Sequence, residues 1–306
     1  MAQDDLIDFE LFRYTPSQAA AGLFAGLFFI TTLFHLYQVY KSRAWYFIPF
    51  VVGGVFQVVG YLVRIPAHNN PESVPVFALQ ALLILLAPPL YAASIYMVLG
   101  RLIRFLGAEH LSLIRVSWMT KIFVTGDVIA FLAQAAGGGL MASDGGNSFK
   151  TGEKITIGGL AVQLVFFTVF MVSCGVFHFR IRKAPTPEVE SLAGGVVSPR
   201  EKQQGGSTRR RIFGVSWESI IVGLYIASIL ILIRSIFRLV EYVQGNDGYL
   251  ISHEVFPYVF DGALMFFAMV VMNFCHPSRV LGAQGKGVDV ESGSLGSSVT
   301  ATGGRA

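Results

Sequence analysis

Residues 217–241 read WESIIVGLYIASILILIRSIFRLVE. Between Glu218 and Arg234 the run carries no charge and is built mainly of Ile, Leu and Val. A helix needs about 20 predominantly apolar residues to cross a hydrocarbon core about 30 Å thick, and this stretch supplies them. A helix on the surface of a soluble protein would alternate an apolar stripe with a polar one. Here the apolar character goes all the way round, and only then do Arg234, Arg238 and Glu241 follow, four and three residues apart on one helix face. The stretch predicts a membrane helix that turns one charged face toward other protein.

Six more stretches of the same kind flank it: approximately Ser17–Tyr40, Trp45–Arg64, Pro75–Leu99, Lys121–Met141 and Ile155–Phe179 before it, and Val255–Phe274 after it. With residues 217–240 they make seven spans. Runs of this length without strict alternation are helices rather than barrel strands, because lipid leaves each segment to satisfy its own backbone. The composition agrees: the 306 residues are 53% hydrophobic and 14% charged, against roughly 25% charged in a soluble domain. The fold class is therefore all-α, a polytopic seven-helix bundle forming a single membrane domain over 17–276. Residues 1–16 read as an extracellular tail. A loop of about 184–211 and a tail of 277–306 are rich in Pro, Gly, Ser and charge, and are expected to be disordered on the cytosolic side.

Orientation follows from the positive-inside rule. Sixteen of the 23 Lys and Arg residues fall on the side that carries Lys41, Arg101, Arg180 and Arg209–Arg211, and three (Arg13, Lys150 and Lys154) on the other. The N-terminus is thus expected outside and the C-terminus in the cytosol, with Trp45, Trp118 and Trp217 at the cytosolic interface. Asp4, Asp5, Asp8 and Glu10 at the start of the chain do not suit a cleaved secretory leader. The two cysteines, Cys174 and Cys275, read as reduced cytosolic-side thiols, which leaves no extracellular disulfide. The formal charge of +4 is accounted for by loop cations flanking spans, so nucleic acid is not an expected partner. The plasma membrane is the expected location, an internal membrane the alternative.

Charges inside the spans are costly and tend to face a bundle interior or a wet cavity. Four pairs stand seven residues apart, a spacing that returns to nearly the same helix face roughly 10 Å further along. They are Gln57 and Arg64, Asp127 and Gln134, Arg234 and Glu241, and Glu254 and Asp261. Arg238 and Tyr258 join the last two stripes. Counting inward, Arg64, Gln134, Arg238, Glu241 and Glu254 lie near the outer surface. Arg234 and Asp261 lie about a third of the way down, with Gln80 and Gln163 at comparable depth. These residues predict a nearly charge-balanced polar cluster in the outer half of the bundle, with Arg234 and Asp261 as its deep ion pair. Fastening helices together is one role for such a cluster; lining a cavity is another. Pro88 and Pro89, expected to kink span three, and Gly137–Gly139 at the end of span four favour a cavity.

No phosphate-binding loop is present, since the segment from Gly282 to Gly287 lacks the hydroxyl residue after its lysine. His35 and Asp127 are the candidates for a metal site, but no two histidines share a helix face, so no metal, cofactor or catalytic residue is expected.

Several ordered blocks carry a resemblance. They are Gly60–Arg64; Gln80 with Leu85–Pro88 and Ala92–Arg101; Phe123–Asp127 with Gln134 and Gly137–Gly139; Gly159–Gln163; Arg234–Arg238 with Glu241; and Glu254, Tyr258 and Asp261 before His276–Pro277. Across roughly Tyr14 to Pro277 the chain resembles the fungal lipid-translocating exporters, the RTA-like family of seven-span proteins linked to resistance to toxic amphiphiles. Gln57 departs from it, standing where many relatives carry Glu. The resemblance implies a non-enzymatic transporter acting on sphingoid long-chain bases, aminosterols or similar amphiphiles, with membrane lipids as its surroundings; one relative is linked to porphyrin and haem movement. A lipid sensor or receptor shares the topology and is the main rival, and a membrane-embedded metal hydrolase built on the cytosolic histidines is a third possibility. The orientation has a direct check. A tag placed after Ala306 should bind antibody only in permeabilised cells, and one placed before Met1 should bind it in intact cells.

Overall fold

A computed structural model describes residues 17–68, 73–141, 146–194, 217–245 and 248–278. The expectations for residues 1–16, for 195–211 and for 279–306 lie outside these described residues. Among the described residues there is no strand, and seven helices are long and apolar enough to cross a membrane. The chain is an integral membrane protein.

The first span is the helix Gln18–Ser42, whose N-terminus is capped by the Ser17 hydroxyl accepting from the Ala20 amide at 3.4 Å. It ends at Arg43, which takes a left-handed conformation (φ 53°) unusual for a residue with a side chain. A short 3₁₀ turn, Trp45–Phe47, leads into the second span, Ile48–Ala67. The third span, Val74–Phe105, runs through Pro88 and Pro89 as one continuous helix. Gly107, with φ +60°, then turns the chain toward the fourth span, Val116–Met141. The fifth, Gly146–Lys183, has 38 residues and so is about 57 Å long. That is well beyond a hydrocarbon core, so Lys150 and Lys154, expected in a loop, stand on its first turns. The sixth span is Trp217–Val243. The seventh, Val255–Phe274, is composite: an α-helical turn over Val255–Pro257, a π-helical segment over Tyr258–Ala263, and an α-helix over Leu264–Phe274.

Helix ends therefore depart from the hydropathy-based ranges at spans three, four and five. Hydropathy marks only the part that lipid touches, whereas the hydrogen-bonded helix continues into the interface. A larger departure follows Lys183. The stretch expected to be disordered from Ala184 instead begins with a short helix, Pro187–Gly194, docked on the turn between spans three and four. Thr186 donates to the Leu106 carbonyl at 2.6 Å, Val189 is buried, and Arg180 donates to the Leu111 carbonyl at 3.2 Å. Local composition missed this because the ordering comes from tertiary hydrogen bonds, not from apolar content.

Consecutive spans neighbour one another around the bundle, span seven returns against span one, and span three touches span six across the middle. In the apolar stretch of span three 61% of the residues are buried, against 33% in spans one and four, which makes span three the central helix. Its Tyr91, Ile95, Tyr96 and Leu99 are fully enclosed, while Leu23, Ile30, Val165 and Ile229 look outward from other spans to the lipid. Two ends of the bundle can be named by their residues. Arg64 and Glu254 lie at one, Arg43 and Trp45 at the other.

Spans four and five meet through glycine. A Cβ on Gly137 would strike the Gly152 carbonyl and Thr156; one on Gly152 would strike the Gly137 carbonyl; one on Gly159 would strike the Ala130 carbonyl. Of the three consecutive glycines only Gly137 takes part, since Gly138 and Gly139 face open space. Backbone obstructs the site, so no side chain can move aside. Gly137→Val should therefore cost about 1–3 kcal/mol through overpacking, read as a lower thermal midpoint in detergent, whereas Gly138→Ala should be neutral or slightly stabilising.

Candidate functional site

At the Arg64 and Glu254 end, three arginines meet three carboxylates. Arg234 on span six is 1% exposed and its Nε donates to Asp261 Oδ1. The other Asp261 oxygen accepts from Arg238 Nη2, one turn further along span six. Arg238 also donates to Glu241 Oε2 at 3.0 Å. On span two, Arg64 Nη2 lies 3.7 Å from Glu254 Oε1, and Arg64 Nε donates to the Tyr258 hydroxyl at 3.1 Å while its guanidinium lies over the Tyr258 ring. Glu254 in turn accepts from the Ser17 amide at 2.6 Å, which ties in the start of span one. The formal charges balance at three against three.

Proline chemistry supplies one further contact. In an α-helix the amide of residue 88 would donate to the carbonyl of Ile84, but Pro88 has no N–H. The freed Ile84 carbonyl lies 3.4 Å from Arg234 Nη2 and accepts from it. The prolines of span three thus open an acceptor for a buried arginine on span six without breaking the helix.

The π-helical segment holds Tyr258 and Asp261. One wider turn shifts the helix face at that point, a distortion found often at functional sites. Both residues therefore face inward, toward different arginines. Beside them runs a stack of rings: Tyr61 with Tyr258 at 5.9 Å between centroids, Phe24 with Tyr61 at 5.5 Å and with Tyr258 at 5.2 Å, and Phe28 with Tyr61 at 5.5 Å. The ionic cluster thus rests against an apolar aromatic wall contributed by spans one, two and seven.

Of the residues predicted from sequence, Arg64, Arg234, Arg238, Glu241, Glu254, Tyr258 and Asp261 come together. Gln134 and Gln163 do not join them; they pair with each other between spans four and five at 3.0 Å. Asp127 accepts from the Tyr96 hydroxyl at 3.0 Å, apart from His35, whose Nε2 faces the Met269 carbonyl at 3.0 Å. The two residues weighed as metal ligands are thus held by different partners, and no group of three metal-ligating side chains occurs among the described residues. Gln80 is buried at 2% exposure. Sequence reasoning missed the aromatic wall and the Ile84 carbonyl. The position of Pro88, four residues after Ile84, was the signal for the latter.

Fold and site define a class: a polytopic seven-span membrane protein whose helices meet at one end through a neutral buried ionic cluster. The family model described as RTA1 like protein matches residues 50–284, and the chain belongs to that family. It is 35% identical to Protein RTM1 of Saccharomyces cerevisiae over 86% of this chain and 90% of that protein. It is 34% identical to Protoporphyrin uptake protein 1 of the same species over 87% and 91%, and 28% identical to the Sphingoid long-chain base transporter RSB1 over 79% and 67%. No solved structure matches the chain.

The two ends of the cluster differ in burial, and the difference is measurable. The Arg234 and Asp261 side chains are each 2% exposed, whereas Glu254 is 21% exposed. Removing one partner of a buried pair costs about 3–5 kcal/mol because a charge is stranded; for an exposed pair the figure is about 0–1 kcal/mol. A double-mutant cycle of Arg234→Gln and Asp261→Asn, read by thermal unfolding, should therefore show strong coupling. The same cycle of Arg64→Gln and Glu254→Gln, a pair exposed at 9% and 21%, should show weaker coupling, between these two limits.

Proposed function

We propose that the protein moves amphiphilic lipids across the membrane, with long-chain sphingoid bases as the substrate class, and that the ionic cluster with its aromatic wall lines and gates the path. In this reading the protein is a transporter and not an enzyme, and the cluster lies at the extracellular side. One observation carries the reading: charged groups that neutralise one another stand directly against a stack of Phe24, Phe28, Tyr61 and Tyr258. An amphiphile has that same polar-over-apolar division.

Physical chemistry adds a constraint on how such a site works. Each carboxylate already has a basic partner, so an ammonium headgroup has to exchange with an arginine. Arg64 with Glu254 is the more exposed pair and the first to exchange; Asp261, between two arginines, is the last. Entry of a cation at Glu254 frees Arg64 to swing away from Tyr258, and the aromatic wall receives the chain. Relatives named as a sphingoid long-chain base transporter and as a protoporphyrin uptake protein support the reading, since both names denote amphiphilic cargo.

The test is purified protein in vesicles with a fluorescent long-chain base, reading its movement between leaflets. The wild type should speed movement over empty vesicles. Asp261→Asn should lose that gain, and Glu254→Gln, which keeps an oxygen to accept from the Ser17 amide but removes the charge facing Arg64, should reduce it. Movement at the wild-type rate in both variants would refute the assigned path.

A further inference from the structure

Below the ionic cluster, a line of buried polar side chains continues toward the Arg43 and Trp45 end. Tyr61, near Asp261 and Arg64, stands one helical turn from Gln57 on span two. Gln57 is 0% exposed, and neither its amide nitrogen nor its oxygen has a partner in the protein. One turn further along, Thr32 Oγ1 and the Met269 methyl fill the space where Gly54 would carry a Cβ. The Thr32 hydroxyl, too, is buried without a partner. Tyr91 and Thr31 both donate to the Met269 sulfur, at 3.2 Å and 3.6 Å. Another turn on, His35 Nε2 lies 3.0 Å from the Met269 carbonyl. A carbonyl only accepts, so Nε2 carries the proton and Nδ1 is a bare acceptor; Nδ1 is buried with no donor. Finally Gln38 donates to the Asn273 carbonyl at 3.0 Å, and the Gln38 and Asn273 side-chain oxygens are left over.

The spacing of these groups decides what they suit. Thr32, His35 and Gln38 recur every third residue on one face of span one, about 4.5 Å apart along the axis. Two hydrogen bonds of about 2.8 Å through one water span such a gap. Burying an amide or hydroxyl with no partner is costly, because its hydrogen bonds to water are lost and not replaced. Several such groups on adjoining helices would together rival the marginal stability of a folded protein. Waters making two to four hydrogen bonds each remove that cost.

We propose that these side chains hold a file of waters that conducts protons between the ionic cluster and the opposite end of the bundle, with His35 as the relay. A proton arriving on a water adds to Nδ1 and leaves neutral water behind. The imidazolium then turns, gives its Nδ1 proton to a water on the other side, and turns back as the neutral ring whose Nε2–H again donates to the Met269 carbonyl. Facing His35 are Phe47 of the 3₁₀ turn, Phe50 of span two, Met269 of span seven, and the His276 ring with its centroid at 6.3 Å. Among these His276 is the one titratable group, and it stands at the far end of the file as the next proton acceptor. The inference concerns ions rather than lipid and stands or falls apart from the substrate reading.

The test is the protein in phosphatidylcholine vesicles with a trapped pH-sensitive dye and valinomycin to carry compensating potassium, with and without added sphingosine. After an external pH jump the wild type should equilibrate several-fold faster than empty vesicles. His35→Phe and Gln57→Leu should fall to the empty-vesicle rate, and Thr32→Val, which removes only a hydroxyl, should lie between. Gel filtration and helical circular dichroism establish which variants fold; should His35→Phe not, Thr32→Val decides. The proposal is overturned if wild-type vesicles hold the gradient as long as empty ones in both conditions, or if the folded variants conduct like wild type. Because lipid movement is a separate readout, loss of one activity without the other tells the two proposals apart.

Discussion

The carboxylate of Asp261, held between the guanidinium groups of Arg234 and Arg238, sets how spans six and seven meet. Ions taken out of water hold their geometry tightly, because any displacement strands a charge in a medium that does not solvate it. The constraint spreads from there. Arg234 reaches span three through a carbonyl that Pro88 sets free, Arg238 is steadied by Glu241, and the π-helical segment of span seven turns Asp261 inward. Even the start of span one is fixed from this end, since the Ser17 amide donates to Glu254. Spans one, two, three, six and seven are therefore tied by polar contacts at one end of the bundle.

Much of this was legible in the sequence, for a definite reason. Lipid demands long apolar runs, so all seven spans announced themselves. A charge inside such a run is costly enough that it rarely faces outward, so a seven-residue recurrence of polar residues pointed to an interior. That logic pointed to Arg64, Arg234, Arg238, Glu241, Glu254, Tyr258 and Asp261, which lie together at one end of the bundle. It failed for Gln134 and Gln163, which share the same depth and character but close on each other. Periodicity gives the face of a helix, not the identity of the neighbour. The aromatic wall was invisible because Phe and Tyr are ordinary in a membrane chain, and the helix Pro187–Gly194 because its order comes from contacts distant in sequence.

The chain also shows two ways of joining membrane helices. Around spans one, two and seven the joints are side chains: stacked rings, sulfur contacts and buried amides. Between spans four and five the backbones themselves approach, at Gly137, Gly152 and Gly159. Without a hydrophobic drive between helices in lipid, both close packing and polar contacts are effective adhesives. They differ in what they permit. Side-chain contacts have alternative rotamers and alternative partners, whereas backbone against backbone has one arrangement.

That difference divides the molecule mechanically. Spans four and five, clasped at their glycines, behave as a single strut, and the fifth, about 57 Å long, carries that strut out of the bilayer. At its far end Arg180 and the docked helix after Lys183 grip the turn that follows span three. A rocking motion of the bundle would thus pivot about this outrigger.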